Sequence, residues 1–337
     1  MTAVLERESK VVKRSYKNTL LQFQKITGFL TVLKISFCLA VIIEFFFSFF
    51  VTLYTANIYL VAIGWGSIVL TIFTYFVLLF YFQTKKPEQV LELKERFIQH
   101  LRRSTPVPPK TAEHHLTVAA ALMNLSFKMQ NLENDYPFFE TLKTKPFYRP
   151  YIEKFSCFFH HEDVFKMQEL LLCSAVQEHI EQIKETPTDL EVHASLAHSY
   201  STLAKLYLDY RKKNFLKKAI IYINDRFKVA SQRAIEEFEI LKEFAPSDPW
   251  IHAQLAQCYH SLEMFEEEEK EYEVILELSP DDQEVLFRLG AIYFKLGKNA
   301  QGLHVYGDLK RLSYKKSDEL LDLYAAVKSA EEMELSF

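Results

Sequence analysis

Two long apolar segments lie close together near the start of the chain. Residues 35–54 and 58–82 are hydrophobic almost throughout, and only three residues, 55–57, separate them. As a helix, each segment is long enough to cross the roughly 30 Å hydrocarbon core of a bilayer. Because the connection is so short, the chain must turn back at once. The pattern therefore predicts a transmembrane helical hairpin within residues 28–84.

The charges that flank the two segments predict their orientation. Residues 1–27 form a basic segment, further lysines and arginines follow the second span, and the tip between the spans carries no charge. By the positive-inside rule, both termini then face the cytoplasm. The sequence thus predicts an integral membrane protein with two spans. Its compact size and short tip fit a bacterial inner membrane.

Apolar residues recur at helical spacing beyond the hairpin as well. Residues 85–110 begin with an amphipathic pattern, which predicts a juxtamembrane helix, and a cluster of three prolines then ends that helix in a stiff linker.

A stretch of degenerate leading helices, 111–189, is expected next. Residues 111–132 and 162–185 each show a helical period within it. Residues 136–159 are rich in aromatic side chains and show no regular period. We expect irregular packing in that segment, with a binding loop as the alternative.

A period of 34 residues governs the C-terminal part of the chain. The pattern Leu-Ala-x-x-Tyr at 255–259 recurs 34 positions later as Leu-Gly-x-x-Tyr at 289–293, and the same shift takes Pro246 to Pro280. A third copy stands at 196–200, and a Pro-x-Asp sequence precedes all three copies. A fixed period of this length is typical of stacked helical hairpins.

These residues resemble the tetratricopeptide repeat (TPR), a helix-turn-helix unit of 34 residues. The three units are 190–248, 249–282 and 283–316, and residues 317–337 fit a terminal capping helix. The first unit carries about 25 extra residues between its two helices. The resemblance implies an all-α fold in which a transmembrane helical hairpin is followed by a TPR-like α-solenoid.

The repeat pattern also predicts how the helices pack. Small residues such as Ala256 and Gly290 let the two helices of a pair approach closely, and Tyr259 and Tyr293 fill the groove between neighbouring pairs. The middle unit departs from the family pattern, because Glu268 stands where a small residue is usual.

Composition narrows the function. Only 7 of the 337 residues are glycine, and no glycine-rich phosphate loop is present, which disfavours strand-rich folds and nucleotide binding. The spacing of the 4 cysteines and of the histidines predicts neither a disulfide framework nor a metal site, and we expect no cofactor. No local motif for a catalytic nucleophile appears, so we expect no catalytic residues and no enzyme. A net charge of -4 argues against nucleic acid as a partner.

Glu44 is the one charged residue inside the two apolar segments. A carboxylate near the bilayer centre costs about 2.5–3.5 kcal/mol on insertion scales, so it needs a polar partner. Folding the hairpin about its tip brings Glu44 to the depth of Ser67 and Thr71, which can hydrogen-bond to it. Alternatively, Glu44 joins protomers into a homo-oligomer or serves an ion path. Gly64 and Gly66 are expected where the two helices touch.

The TPR resemblance places a partner-binding wall on the first helix of each unit. The side chains that we expect on this concave wall are His198, Trp250, Gln257, His260, Phe287, Phe294 and Lys295. Alanine or phenylalanine stands where one TPR subset uses lysine to clamp an acidic C-terminus, so that ligand is disfavoured. Trp250, Phe287 and Phe294 favour an apolar or aromatic anchor. The alternative is that they pack against a neighbouring helix.

Two charged stretches stand out in the repeats. The insertion in the first unit is basic, and it can lie on an anionic membrane surface, bind an acidic partner, or be solvated. Its principal cations are Arg211, Lys212, Lys213, Lys217 and Lys218. The acidic run 266–269, with further glutamates at 263, 271 and 273, is expected to form a solvated helix face.

Taken together, these features predict a membrane-anchored adaptor or scaffold that binds protein or peptide partners in the cytoplasm. Its hairpin contacts the lipid bilayer. Two other functions remain open. The paired apolar segments are similar to those of chlamydial inclusion membrane proteins, which would make the chain a secreted effector. A subunit of a membrane transport complex that uses Glu44 is the other alternative.

Overall fold

Every regular element in the described part of the chain is a helix, which confirms the all-α fold class. The computed structural model describes residues 2–55, 57–105, 107–108, 111–130, 132, 149–213 and 217–334, without the side chains of 2–12, 213, 217–219 and 329–334. The helices are α1 Thr2–Tyr54, α2 Ile58–Ser104, α3 Ala112–Lys128, α4 Arg149–Glu185, α5 Leu190–Lys213, α6 Lys217–Phe244, α7 Pro249–Ser261, α8 Phe265–Leu278, α9 Gln283–Lys295, α10 Asn299–Arg311 and α11 Ser317–Glu334.

The chain divides into two compact units, Met1–Glu178 and His179–Phe337. The first contains α1, α2, α3 and most of α4, and the second contains the end of α4 and α5 to α11. The domain boundaries expected from the sequence stay a prediction.

Helices α1 and α2 form the predicted hairpin. Both are long and apolar enough to cross a membrane, and only 17% and 6% of their most apolar windows is buried in the protein. The rings of Phe29 and Phe82 lie 4.9 Å apart, and those of Phe37 and Tyr75 lie 5.4 Å apart, so the two helices run antiparallel in contact. A largely exposed apolar surface of this length matches a lipid environment.

The hairpin continues well beyond its apolar part. Helix α1 has 53 residues and α2 has 47, so they span roughly 80 Å and 70 Å. Tyr16, Phe23, Leu93 and Phe97 are buried on the polar side of the spans, and the rings of Tyr16 and Phe97 lie 5.9 Å apart. Helix α2 runs through Pro87 without a break and ends at Ser104, so the helix predicted after the second apolar segment is continuous with that segment.

One of the two glycines expected at the helix contact does lie there. A Cβ atom on Gly64 would stand 2.9 Å from Ser48 Oγ, whereas one on Gly66 would meet nothing within 4 Å. The prediction is therefore right for Gly64 and wrong for Gly66, which faces away from the partner helix.

Helix α4 begins earlier than the sequence indicates. It runs from Arg149, so the expectation of irregular packing is wrong for residues 149–159. The remainder of the aromatic segment, 136–148, lies outside the described residues. Aromatic side chains lie on several faces of this part of α4. The sequence of the segment therefore shows no helical period.

The second unit consists of antiparallel helix pairs, as predicted. Each first helix begins directly after an aspartate of the Pro-x-Asp sequence, and the aspartate side chain caps it. Asp189, Asp248 and Asp282 accept hydrogen bonds from the backbone N–H two residues later, at 3.0, 2.9 and 3.0 Å. Such caps satisfy N–H groups that have no partner within the helix.

In the described residues, the insertion in the first pair lengthens its two helices. Helices α5 and α6 have 24 and 28 residues, against 13 and 14 in the α7–α8 pair. Tyr207, Tyr210, Ile223 and Phe227 are buried within the lengthened part. The first pair is therefore longer than its neighbours, and Arg211 and Lys212 lie near the end of α5.

The core of the second unit is continuous from pair to pair. Ala256, Tyr272, Leu289, Phe294 and Leu309 belong to one buried cluster. A second cluster joins α5 and α6 to α7. It comprises Ala197, Ala234, Ile235, Phe238, Leu241, Ile251, Leu255, Cys258 and Tyr259. Since α7 contributes to both, each pair buries its apolar face against the next, as a TPR-like α-solenoid requires.

Candidate protein-binding surface

Most of the side chains expected on the binding wall are accessible. His198, Gln257, His260 and Lys295 are exposed on the first helices α5, α7 and α9. Trp250 is 47% exposed, and its ring lies edge-to-face against Phe238 at 5.9 Å. Packing on Phe238 holds the Trp250 ring in place, and its exposed part can contact a partner. Aromatic anchors at protein interfaces combine these two properties.

The two phenylalanines expected on the wall behave differently. Phe294 is completely buried and packs against Tyr324, with ring centroids 4.9 Å apart. The placement of Phe294 on an open wall is therefore wrong, and the alternative of packing against a neighbouring helix applies. Phe287 is half-buried, 6.0 Å from the ring of Tyr314.

A charged cluster lies beside the wall at the α7–α8 pair. His260 Nδ1 lies 2.9 Å from Glu268 Oε1, and Lys295 Nζ lies 4.6 Å from the centre of the Phe265 ring. Burial raises the pKa of Glu268, and the neighbouring His260 and Lys295 oppose that rise.

The unusual glutamate of the middle unit is explained by this cluster. In the next pair, the positions 34 residues later are Phe294 and Gly302, and a Cβ on Gly302 would stand 2.5 Å from the Phe294 ring. The histidine–glutamate pair, His260 with Glu268, therefore replaces an aromatic–glycine pair at the same site.

The acidic run of α8 is only partly a solvated face, since Glu266 and Glu273 are exposed and three other glutamates are buried. Glu268, Glu269 and Glu271 are 3%, 6% and 5% exposed, so the expectation is wrong for these three residues. Lys298 Nζ donates to both carboxylate oxygens of Glu269, at 2.7 and 2.6 Å. Lys242 Nζ donates to Glu271 Oε1 at 2.6 Å. These carboxylates are tolerated in the core because cations from adjacent elements pair with them.

A histidine–glutamate–carbonyl arrangement recurs in the first two pairs. His193 Nδ1 lies 2.7 Å from Glu237 Oε2, and its Nε2 lies 3.1 Å from the carbonyl oxygen of Pro187. His252 repeats this geometry with Glu271 and Pro246, at 2.5 and 2.9 Å. The third pair lacks the arrangement, since Leu286 and Val305 occupy the corresponding positions.

The surroundings of His193 favour its protonated form. Burial opposes its charge, but hydrogen bonds to Glu237 and to the Pro187 carbonyl outweigh burial and raise its pKa. Both ring nitrogens face acceptors, and only the protonated ring donates from both nitrogens.

The repeat tyrosines link neighbouring pairs through their hydroxyl groups. Tyr259 Oη donates to Glu239 Oε1 at 3.1 Å, and Tyr293 Oη donates to Glu273 Oε1 at 3.2 Å, 34 positions later in both partners. Burial and the nearby glutamate raise the pKa of Tyr293 to about 12 and also raise the pKa of Tyr259. The tyrosines therefore both fill the groove and stay protonated as donors.

Within the hairpin, Thr71 is the partner of Glu44. Thr71 Oγ1 donates to Glu44 Oε1 at 2.9 Å, as expected from the fold about the tip. Ser67 makes a different bond, from its Oγ to the Gly64 carbonyl at 2.8 Å, so it does not reach Glu44.

The basic insertion is described only in part. Arg211 Nη1 donates to Asn224 Oδ1 at 3.3 Å, and its guanidinium lies 5.4 Å from the centre of the Phe227 ring. Lys212 is exposed. The side chains of Lys213, Lys217 and Lys218 lie outside the description. Arg211 thus serves to hold α5 and α6 together near the end of α5.

The described residues offer little sign of a metal site or of a reactive side chain. No group of three or more His, Cys, Asp or Glu side chains there could hold a metal ion. Burial raises the pKa of the Cys258 thiol to about 11, which makes it a poor nucleophile. His160 lies 3.3 Å from the Thr31 hydroxyl, and burial with the nearby Lys86 and Lys34 lowers its pKa to about 4.

Among solved structures, the chain is similar to TPR proteins. No protein-family model and no curated protein matches the chain. TTC0263, a TPR protein of Thermus thermophilus, is 18% identical with a TM-score of 0.29, over 47% of this chain and 90% of that one. YrrB, a TPR protein with an unusual peptide-binding site, is 10% identical with a TM-score of 0.24, over 50% and 89%.

A monomeric mutant of IFIT1 with bound Gppp-AAAA is 16% identical with a TM-score of 0.34, over 82% of this chain and 79% of that one. At these identities and TM-scores the similarities carry no argument about ligands. The assignment of a TPR-like solenoid stands on the 34-residue period and on the capped, stacked helix pairs.

Proposed function

We propose that this chain is a membrane-anchored adaptor without catalytic activity of its own. Its hairpin, α1 and α2, holds it in a bilayer, and its helical repeats bind a protein or peptide partner on the cytoplasmic side. A bacterial inner membrane is the proposed location. The net charge of -4 favours a protein partner over nucleic acid.

The observation that carries the proposal is the repetition of accessible side chains on successive first helices. His198 on α5 and Gln257 on α7 occupy the same repeat position, and both are exposed while their neighbours Ala197 and Ala256 are buried. Lys295 on α9 and the half-exposed Trp250 on α7 are accessible as well. Repeat proteins use such continuous surfaces for extended partners.

Anchoring draws support from the exposed surface of the hairpin. Large side chains such as Phe46, Phe73 and Phe80 are 66%, 65% and 77% exposed in the protein. A contiguous apolar surface of this size marks contact with a membrane or with another protein, and its length of two full spans favours a membrane.

Site-specific photocrosslinking in cells tests the wall. Benzoylphenylalanine is placed at His198 or at Gln257 of the full chain, and at Glu277 as the matched control, because Glu277 is exposed on the second helix α8. We expect one common protein adduct from positions 198 and 257, and none from 277. Equal adducts at all three positions, or adducts at 277 alone, would remove the wall from the proposal.

A further inference from the structure

The outward face of the first turns of α4 carries a stripe of aromatic side chains. Tyr151, Phe155 and Phe158 follow one another at intervals of four and three residues, so they share one face of the helix. They are 68%, 44% and 82% exposed. Contiguous aromatic exposure on this scale indicates a surface that is covered in use.

Contacts with the hairpin fix the level of this stripe. At one end, Arg102 Nη2 donates to Glu178 Oε1 at 2.6 Å, and further along Lys86 Nζ lies 2.5 Å from Asp163 Oδ1. Next, Lys34 Nζ lies 5.6 Å from the centre of the Phe159 ring. Helix α4 therefore runs beside the hairpin, with its N-terminal end directed toward the apolar segments.

The ten residues before Phe159 extend beyond these contacts by about 15 Å. Lys34 stands immediately before the first apolar segment, and Lys86 stands just after the second. Residues 149–158 consequently reach the level at which the hairpin becomes fully apolar.

The same face of α4 changes character at that level. After Phe158 it continues with Glu162 and Lys166, which form an exposed ion pair at 2.6 Å, and then with Glu169. One helix face is thus aromatic on the apolar side of Lys34 and Lys86 and charged on the other side. A boundary between lipid and water produces this kind of change, since aromatic side chains concentrate at membrane interfaces.

The charges near the stripe are compatible with an interfacial position. Arg149 Nε donates to Glu153 Oε1 at 2.9 Å, so these two residues neutralise each other. Lys154 is exposed beside the stripe, and its long side chain can reach lipid phosphates while its methylene groups remain in the apolar layer.

We propose that the first turns of α4, residues 149–158, lie in the membrane interface and contact lipid through Tyr151, Phe155 and Phe158. The chain then touches the bilayer with three helices, two that cross it and one that enters only its cytoplasmic face. This proposal rests on membrane insertion of the hairpin.

Quenching of tryptophan fluorescence by brominated lipid tests the proposal on the full chain in liposomes. Phe158→Trp is made in a background with Trp65→Phe and Trp250→Phe, so that position 158 carries the sole tryptophan. Position 158 tolerates the exchange because its ring is almost fully exposed. We expect blue-shifted emission, strong quenching by lipids brominated near the headgroup end of the acyl chain, and little quenching by aqueous iodide.

Two reporters control this measurement. Phe127→Trp in the same background lies on α3, where Phe127 is 48% exposed and the next residue, Lys128, lies 5.7 Å from the ring of Tyr16, far from the apolar segments. We expect iodide, and not lipid, to quench it. Native Trp65, left as the sole tryptophan by Trp250→Phe, reports insertion of the hairpin.

The outcomes separate the two proposals. Quenching of Trp65 by lipid together with iodide quenching of position 158 would overturn the interfacial helix and leave the anchor standing. Protection of position 158 from both quenchers would mean that protein covers the stripe, which also overturns the proposal. Failure of lipid to quench Trp65 would overturn both. Circular dichroism confirms that each variant is folded as the parent.

Discussion

At the scale of single residues, the turns inside the α7–α8 and α9–α10 pairs each contain a residue with a left-handed backbone. Gly297 adopts φ +72° in the α9–α10 turn, and Glu263, 34 positions earlier in the α7–α8 turn, adopts φ 61°. A side chain in this conformation costs roughly 1–2 kcal/mol, whereas glycine adopts it freely. The middle pair therefore carries local strain that the last pair avoids.

Glu263→Gly should stabilise the protein by about 0.5–1 kcal/mol, since relief of the strained backbone exceeds the entropic cost of glycine. Equilibrium denaturation by urea measures the change. Gly297→Ala is the opposite substitution at the equivalent turn and should destabilise by a similar or larger amount. Destabilisation by both substitutions would contradict the argument from φ.

The raised pKa of His193 predicts a pH dependence of stability. A group whose folded pKa exceeds its unfolded pKa contributes stability that is full below the unfolded value, near 6.5, and lost as pH rises through the folded value. His193→Gln should therefore destabilise the protein most below pH 6.5 and progressively less above it. Urea denaturation of wild type and variant from pH 5.5 to 8.5 gives the difference.

His198→Gln is the matched control, because His198 is exposed on the same helix α5. Its effect on the free energy of unfolding should be small, because its side chain makes few contacts that the substitution removes. A constant difference between wild type and His193→Gln across the same range would show that its pairing with Glu237 has no linkage to protonation.

At the scale of helices, two glycines of α10 have opposite surroundings. A Cβ on Gly302 would stand 2.5 Å from the Phe294 ring, whereas a Cβ on Gly307 would meet nothing within 4 Å. Gly302→Ala should therefore push α10 from α9 and destabilise by about 1–3 kcal/mol. Gly307→Ala should stabilise by about 0.5–1 kcal/mol through helix propensity. Thermal unfolding of the two variants distinguishes the effect of packing from that of helix propensity. Equal changes in stability would refute the close contact between Gly302 and the Phe294 ring.

Local signals and the period explain what the sequence predicted at this scale. The recurring Pro-x-Asp sequence, the small residues Ala256 and Gly290, and the repeat tyrosines depend on neighbours within one helix or at a fixed shift of 34. Thr71 was found as a partner of Glu44 because the tip of the hairpin sets the register. Such features follow from short-range geometry, so a single sequence reveals them.

The burial of the acidic run could not be predicted in this way. Glu269 and Glu271 find their cations, Lys298 and Lys242, 29 positions away in opposite directions along the chain. A run of glutamates has the same local pattern whether it faces water or paired lysines. One sequence feature could have indicated this burial. Glu237 and Glu271 are 34 positions apart, as the repeat requires, and each pairs with a histidine.

At the scale of the whole molecule, contact between α1 and α2 continues beyond the two apolar segments. The buried Tyr16, Phe23, Leu93 and Phe97 pair α1 with α2 beyond the apolar segments, so the two spans and their extensions form one continuous antiparallel element. An element of this kind resists a change in the relative position of its two spans. In the proposed membrane anchor, the topology of the two helices therefore sets the side of the membrane on which both extensions lie.

Both extensions should lie on the cytoplasmic side, because cations flank the two spans while the tip has no charge. Single cysteines in a background without the 4 native cysteines test this with a membrane-impermeant maleimide on intact bacterial cells. Thr55→Cys, exposed at the tip, should react from outside. Gln89→Cys, exposed on the α2 extension, should react only after permeabilisation. The reverse pattern would invert the orientation and place the repeats outside, where a cytoplasmic partner is unreachable.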